Sequence, residues 1–180
     1  RFLNNKKIYL LYSGSMYKGL SKDEINSIIS EFKQVNIICI GASPSEKKEL
    51  SKQVNSKKFF LIERIPQSKL IFYQIACDYL ILPLKKKGPL WWCTSPLKLF
   101  EYMATKNLII SSGIGSINEV LNSKNCVFYS KDVNEGLRHA LNADYKKLAN
   151  KAFNDVKKNY TWKIRVEKIL SEIKRNSISL

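Results

Sequence analysis

The ten residues 95–104, Ser-Pro-Leu-Lys-Leu-Phe-Glu-Tyr-Met-Ala, have the composition of a helix whose first turn could bind an anion. Ser95 is a good N-cap because its hydroxyl can accept a free backbone N–H, and Pro96 suits the first helical position. The N–H groups of Leu97 and Lys98 would then point outward at the positive end of the helix dipole. A phosphate group is stabilised at that position.

Glu101 lies one turn beyond Lys98 on the same face of this helix. A carboxylate beside a phosphate site suits a nucleotide, because the ribose hydroxyls need a hydrogen-bond acceptor. The alternative is that Lys98 and Glu101 form an ordinary surface ion pair, which would contribute about 0.2–0.5 kcal/mol.

A second candidate phosphate site follows the first apolar run, in residues 13–19, Ser-Gly-Ser-Met-Tyr-Lys-Gly. Glycines such as Gly14 let the backbone approach a ligand closely. Lys18 can supply a point charge to a phosphate. The alternative is a solvated turn between a strand and a helix.

Three lysines, residues 85–87, precede Trp91 and Trp92 in a loop that also contains glycine and proline. Beside a binding helix these residues suggest contacts to a sugar or an acceptor, since aromatic faces stack on sugar rings. The alternative is that one tryptophan fills the core and the lysines are solvated.

These candidates lie in loops between short apolar runs and helical segments. We predict strands at 7–12, 35–40, 58–62, 79–82, 108–111 and 126–129. We predict helices after Ser21, from Ser45 to about 54, after Ser68, and at 96–105, 133–141, 145–159 and 162–174. In the third of these helices Leu70, Ile71 and Ile75 should point inward.

The apolar runs are continuous, which is typical of strands buried on both faces. Repeated strand–helix units predict an α/β, Rossmann-like, doubly wound parallel sheet of about six strands with helices on both faces. In such folds ligands bind beyond the carboxyl ends of the strands, where the candidate loops lie.

Length and composition limit the function classes. At 180 residues the chain is one domain, 1–180, and because it opens at Arg1 we expect a piece of a longer protein. Four separated cysteines and one histidine predict no metal site and reduced thiols in a cytosolic protein. The net charge of +16 could attract a nucleotide, a nucleic acid or an anionic membrane, or could reflect a lysine-rich composition. The lysines are scattered, so we expect no nucleic-acid partner.

Residues 95–104 resemble the donor-site helix of bacterial GT-B glycosyltransferases of the large retaining family 4. The resemblance extends from about residue 7 to about residue 170. It implies that the chain is the C-terminal, nucleotide-sugar-binding half of a GT-B fold. It also implies that the last helix, about 161–175, packs on a missing N-terminal acceptor domain.

The resemblance implies roles for individual residues. The loop at 14–19 is similar to the family's Gly-x-x-x-Lys-Gly loop, whose lysine, here Lys18, binds the donor diphosphate. Ser15 stands where many members have an arginine, and Lys98 would compensate. Glu101 aligns with the second of the family's two glutamates, the one that binds ribose, whereas the first falls at Cys93.

Further contacts follow from the same resemblance. Gly14, Ser15, Lys18, Ser95, Leu97 and Lys98 would bind the diphosphate. Arg64 and Ile65 would face the nucleobase, and the alternative is that Arg64 is an ordinary surface arginine. Trp91 and Trp92 would face the donor sugar or the acceptor.

The expected function is transfer of a sugar from a nucleoside-diphosphate donor to a polysaccharide or glycolipid acceptor, without a metal or other cofactor. We expect a cytoplasmic protein, peripheral at the inner membrane face. Catalytic residues of the missing half are absent, so this chain alone should be inactive. The alternatives are a sugar-nucleotide 2-epimerase-like enzyme of the same architecture and a non-catalytic basic binding module.

Overall fold

The computed structural model of the chain describes residues 7–16, 19–86 and 91–177. Strands and helices alternate along it, as the apolar runs predict. The strands are β1 (Ile8–Ser13), β2 (Val35–Ala42), β3 (Phe59–Glu63), β4 (Tyr79–Leu82), β5 (Leu108–Ser111) and β6 (Val127–Phe128). The helices are α1 (Lys22–Glu31), α2 (Pro44–Gln53), α3 (Gln67–Ala76), α4 (Leu97–Ala104), α5 (Ile117–Val120), α6 (Val133–Asn142), α7 (Tyr145–Asn159) and α8 (Trp162–Ser177). A 3₁₀ turn at Trp91–Cys93, called here the tryptophan turn, precedes α4.

The strands form one parallel sheet in the order β3-β2-β1-β4-β5-β6. β1 is central and pairs with β2 on one side and with β4 on the other, where Leu10 faces Tyr79. The strand order reverses between β1 and β4, and a ligand crevice is expected at the carboxyl ends of the strands at such a reversal. The predicted Rossmann-like, doubly wound sheet is confirmed.

Helices cover both faces of this sheet and create two hydrophobic cores. On one face Ile28 of α1 and Leu137 of α6 pack against the strands, and on the other face Met103 of α4 and Ala152 of α7 do so. Neighbouring strand residues belong to opposite cores, as Leu10 and Leu11 do. Burial on both faces explains why the strands are continuous apolar runs in the sequence.

A capping box begins each of the first two helices. The box of Ser21 with Glu24 starts α1 as predicted, with the Ser21 N–H donating to the Glu24 carboxylate at 2.7 Å. The box of Ser43 with Glu46 starts α2. The predicted start at Ser45 is therefore wrong, because the Ser43 hydroxyl caps the helix two residues earlier.

Helix α3 differs from its prediction in its start and in its buried face. Pro66 occupies the N-cap position, so the predicted cap at Ser68 is wrong. Leu70 packs against a core as predicted, but Ile75 is 55% exposed and Gln74 is fully buried. The Gln74 amide donates hydrogen bonds to Ser13 and Glu101. These contacts orient the Gln74 side of the helix toward the core, in place of the apolar face that the sequence pattern predicts.

Helix α8 carries large apolar side chains that are exposed. They are Trp162, Val166, Ile169, Leu170 and Ile173, each at least half exposed. Among the described residues, no helix combines the length and the apolarity needed to cross a membrane. Packing of α8 on another domain stays a prediction.

Candidate functional site

The loop after β1 and the first turn of α4 meet at the reversal between β1 and β4. Gly14 has a φ of +140°, and a side chain placed there would collide with the Lys98 ammonium group. The Gly14 N–H donates to the Ile40 carbonyl at 2.7 Å, which ties the loop to β2. Two residues predicted to bind a diphosphate, 84 positions apart, are therefore brought together (98 − 14 = 84).

Tyr12 holds the Lys98 side chain at this point. The Lys98 Nζ lies 4.4 Å from the centroid of the Tyr12 ring and donates to the Tyr12 hydroxyl at 3.3 Å. That hydroxyl donates to the Ser15 carbonyl at 2.8 Å. Burial raises the pKa of Tyr12, so the phenol stays neutral and supports the cation through its ring and its oxygen. Sequence reasoning missed Tyr12, which looks like one more residue of an apolar strand.

The start of α4 differs from the prediction by one residue. The helix begins at Leu97, Pro96 is the N-cap with an extended backbone, and no side chain caps the first turn. The predicted N-cap role of Ser95 is wrong, as is the placement of Pro96 inside the helix. Because first-turn N–H groups have no intrahelical acceptor, those of Leu97 and Lys98 still give this end a partial positive charge.

A polar chain holds Glu101 beside the same loop. The Gln74 amide N–H donates to a Glu101 carboxylate oxygen at 3.3 Å and to the Ser13 hydroxyl at 3.5 Å. Gln74 is fully buried, and its amide oxygen has no hydrogen-bond partner. Glu101 is half-buried and oriented by these contacts. No sequence signal distinguishes Gln74 from a surface helix residue.

Tyr102 fixes α4 against the end of β1. Its hydroxyl accepts from the Ser13 N–H at 2.9 Å and shares a second hydrogen bond of 2.9 Å with the Ser13 hydroxyl. Tyr102 is fully buried, and burial raises its pKa, so this phenol also remains protonated. Adjacent residues of one helix therefore have different tasks, since Tyr102 anchors the helix and Glu101 faces the crevice.

The remaining predicted diphosphate ligands contribute differently. Ser15 is exposed at the loop, next to Gly14, and Leu97 is 70% exposed at the tip of α4. Ser95 is exposed between the tryptophan turn and α4. Lys18 lies outside the described residues.

Arg64 and Ile65 lie away from this junction. They follow β3, the edge strand, which β2 separates from β1. The Arg64 side chain is exposed, whereas Ile65 is half-buried and packs against a core. Both residues follow the carboxyl end of a strand, as Gly14 does, but their strand is two positions away from β1 in the sheet.

Trp91 and Trp92 form a wall beside the loop that follows β5. Trp91 is half-buried and Trp92 is 59% exposed, so the alternative that one tryptophan fills the core is wrong. The Trp92 carbonyl accepts from the Ser116 N–H at 2.8 Å, which joins the tryptophan turn to that loop. The Lys86 ammonium lies 5.4 Å from the centroid of the Trp91 ring.

Metal-binding groups are not clustered in the part of the chain that the structure describes. No three side chains of the His, Cys, Asp and Glu types converge there as metal ligands would. Among the described residues, Lys98 and the α4 helix dipole supply positive charge to an anion at the crevice.

Comparison with known proteins identifies the family. Residues 7–146 match the family model of the group 1 glycosyl transferases. The chain belongs to this family. A comparison with curated protein sequences gives no significant match.

Solved structures of GT-B glycosyltransferases share the fold of this glycosyl transferase domain. The C-terminal domain of a group 1 family protein (LpcC) from Francisella tularensis is 19% identical, with a TM-score of 0.68 and 87% coverage of both chains. Anabaena Alr3699/HepE, solved in complex with UDP and glucose, is 18% identical with a TM-score of 0.70, over 98% of this chain and 49% of that one. A glycosyltransferase from Rickettsia africae ESF-5 is 16% identical with a TM-score of 0.72, over 96% of this chain and 48% of that one.

The lengths in these comparisons are informative. This glycosyl transferase domain spans about half of the Anabaena and Rickettsia proteins, but most of the isolated Francisella C-terminal domain. The predicted likeness to a GT-B C-terminal domain is thereby confirmed. The family match also favours a transferase over the epimerase and the non-catalytic module.

Proposed function

We propose that this chain is the donor-binding domain of a GT-B glycosyltransferase and binds a nucleoside-diphosphate sugar. The observation that carries the proposal is the convergence of Gly14, Lys98 and Glu101 at the reversal between β1 and β4. A cation, a close-approach glycine and a carboxylate acceptor are the groups that a diphosphate and a ribose require. The Anabaena relative, whose structure contains UDP and glucose, supports the same ligand class.

The mechanism we propose is electrostatic. Transfer of the sugar leaves negative charge on the departing nucleoside diphosphate. Lys98 and the N-terminal turn of α4 would stabilise that charge from fixed positions, so no reorganisation is needed during the reaction. Lys18, outside the described residues, would add a second cation. A metal ion is not required in this scheme, because lysines and a helix dipole supply the positive charge.

Glu101 would orient the ribose. Its carboxylate is already held by Gln74, so a bound ribose would add hydrogen bonds to an acceptor that does not have to be ordered first. Arg64 and Ile65 would contact the nucleobase from the end of β3. Trp91 and Trp92 would lie on the side of the donor sugar or the acceptor.

The whole enzyme would need a second domain. The chain covers about half of the length of full-length relatives, and the exposed apolar side chains of α8 offer a packing surface. We propose that an N-terminal domain covers α8 and supplies the acceptor site, so that this chain alone is inactive. The acceptor class is a polysaccharide or glycolipid at the cytoplasmic face of a bacterial membrane, and the configuration of the sugar would be retained.

The test is a calorimetric titration of the chain with UDP, GDP and ADP. One nucleoside diphosphate should bind, because its ribose and diphosphate find fixed partners. Glu101→Ala and Lys98→Ala should each weaken that binding about tenfold or more, as the loss of a charged hydrogen-bond partner does. The matched control is Glu172→Ala on exposed α8, which should change the affinity less than about twofold. Equal affinities for Glu101→Ala and for the unchanged chain would refute the assigned site.

A further inference from the structure

A large open cavity lies at the carboxyl ends of β5 and β6, beside the crevice described above. Its volume is about 920 Å³, within the range of small-molecule sites. Its walls come from the tryptophan turn, the loop after β5 and the loop after β6. Among the residues that the structure describes, none of the diphosphate or ribose groups proposed above lines it.

A glycine allows the two loops that form one wall of the cavity to approach each other closely. Gly115 has a φ of +56° and lies in the loop after β5. A Cβ at Gly115 would come within 2.8 Å of the Trp91 carbonyl oxygen. The Ser116 hydroxyl donates to the Thr94 carbonyl at 2.7 Å, next to the tryptophan turn. The two loops are thus held together at a fixed distance, and Trp91 is kept at the cavity edge.

Most of the other lining side chains are aromatic or polar without charge, and Ile114 and Leu121 add aliphatic surface. The aromatic ones are Trp91, Phe128 and Tyr129, and Ser112, Asn118 and Ser130 are among the polar ones. Flat aromatic faces accept the C–H faces of a sugar ring, while hydroxyl and amide groups can both donate and accept from sugar hydroxyls. This mixture differs from the cationic surroundings that a phosphate needs.

The charges in the described lining balance each other. Lys86 and Glu135 are its cation and its carboxylate. The Glu135 carboxylate accepts from the N–H groups of Ser130 and Lys131, each at 2.9 Å, so it serves to hold the loop after β6. The described lining therefore fits a neutral ligand better than an anion.

The cavity also continues along the sheet edge. A second cavity of about 370 Å³ shares Lys86, Ser112 and Tyr129 with the first. Its described lining is more charged, but Lys85 is paired with Glu24 at 3.0 Å, and cations and carboxylates nearly cancel there. Two neighbouring cavities with a common wall form a groove, and a groove suits a chain-like ligand better than a compact one.

We propose that this groove binds a neutral oligosaccharide segment, with Trp91 as its stacking platform. The inference rests on the proposed function, because a saccharide next to the donor crevice would be part of the acceptor or of the product. It assigns different tasks to the two tryptophans. Trp91 lines the cavity, whereas the neighbouring Trp92, 59% exposed, does not.

The experiment is an NMR titration of the chain with maltotriose, cellotriose and N,N′,N″-triacetylchitotriose, each to about 10 mM. At least one of them should give saturable shifts at the amides of Trp91, Ser112 and Tyr129. Trp91→Ala should weaken that binding about tenfold or more, while Trp91→Phe, which keeps an aromatic face, should weaken it less. Phe72→Ala on α3, where the aromatic side chain is 70% exposed and has no proposed role, is the control and should stay within about twofold of the unchanged chain.

A second variant covers the case in which Trp91→Ala does not fold. Ser123 is an exposed residue at the cavity rim, and Ser123→Trp should obstruct the groove and abolish the shifts. The absence of saturable shifts with all three trisaccharides overturns the proposal, as does equal binding by Trp91→Ala or by Ser123→Trp. Titration of the same sample with UDP, GDP and ADP distinguishes the two hypotheses. Nucleotide binding without saccharide binding refutes only the groove, and the reverse refutes only the donor site.

Discussion

Helices α4 and α8 are both amphipathic, but their apolar faces have different surroundings. In α4 the side chains of Leu99, Tyr102 and Met103 are at most 1% exposed. In α8 Ile169 and Leu170 are each 52% exposed. Apolar side chains that stay in water do not contribute their transfer free energy to folding, so α4 stabilises the domain and α8 adds little.

This difference separates a helix that positions a site from a helix that offers a surface. Helix α4 is anchored by its buried face of Leu99, Tyr102 and Met103. Lys98 and Glu101 on the same helix are therefore held in fixed positions by elements far away in sequence. The exposed face of α8 is available for a partner, and we propose the N-terminal domain in that role. A site group mounted on α8 would lack the same support.

The largest expected effect tests the buried side of this comparison. Met103→Ala should lower the free energy of unfolding by about 2–5 kcal/mol, because it removes a fully buried side chain and leaves a cavity. Urea denaturation measures the change in midpoint at unchanged slope. A loss below about 1 kcal/mol would mean that α4 is not packed as described.

Tyr102→Phe tests whether a hydrogen bond adds to the packing of α4. The variant keeps the ring but leaves the buried Ser13 N–H without its acceptor, so the free energy of unfolding should fall by about 1–3 kcal/mol. The control is Tyr145→Phe on α7, where the side chain is 47% exposed and little change is expected. Equal urea midpoints for the two variants would remove the anchoring role from Tyr102.

Gly14→Ala tests whether the fixed position of α4 matters for the ligand. The positive φ strains alanine, and its methyl group would displace the Lys98 ammonium. We expect a loss of about 1 kcal/mol in the free energy of unfolding, together with weaker binding of the nucleoside diphosphate in calorimetry. Ser51→Ala at an exposed position of α2 is the control and should change neither quantity measurably. Normal binding by Gly14→Ala would show that Lys98 can move without consequence.

The smallest effect is expected in α8. Leu170→Ser should change the free energy of unfolding by less than about 0.5 kcal/mol, since the side chain is already half exposed. Urea denaturation under the conditions used for Met103→Ala allows a direct comparison of the free energies of unfolding that the two substitutions remove. A loss above about 1 kcal/mol would show that the α8 face is covered in solution, for example by a second copy of the chain.

Features that depend on neighbouring residues in the sequence were predicted better than features that depend on distant ones. The spans of β4, β5 and α7 were predicted without error, because burial of a strand or helix face leaves a local pattern of apolar residues. The Ser21 capping box was predicted for the same reason. The cap of α2 lies two residues before the predicted one, and α4 begins one residue after its predicted start, because the choice among nearby candidate caps depends on backbone geometry.

The candidate site shows the same division. Gly14, Lys98 and Glu101 were recognisable from local motifs and from the family resemblance. Tyr12 and Gln74, which hold Lys98 and Glu101, were not recognised. Their partners are 86 and 27 residues away, so the short motifs used in sequence analysis do not contain both members of either pair.

The sequence alone determined the order of the strands and of the helices other than α5, the doubly wound architecture and the residues that give the crevice its charge. Each of these depends on apolar periodicity or on a short motif, both of which are local. Only the tertiary structure decided how the side chains of α3 are oriented, which tryptophan lines a cavity and which helix face stays exposed. Those properties depend on contacts between elements that are distant in sequence. The position of one helix on the sheet determines which side chains of its neighbour can be buried.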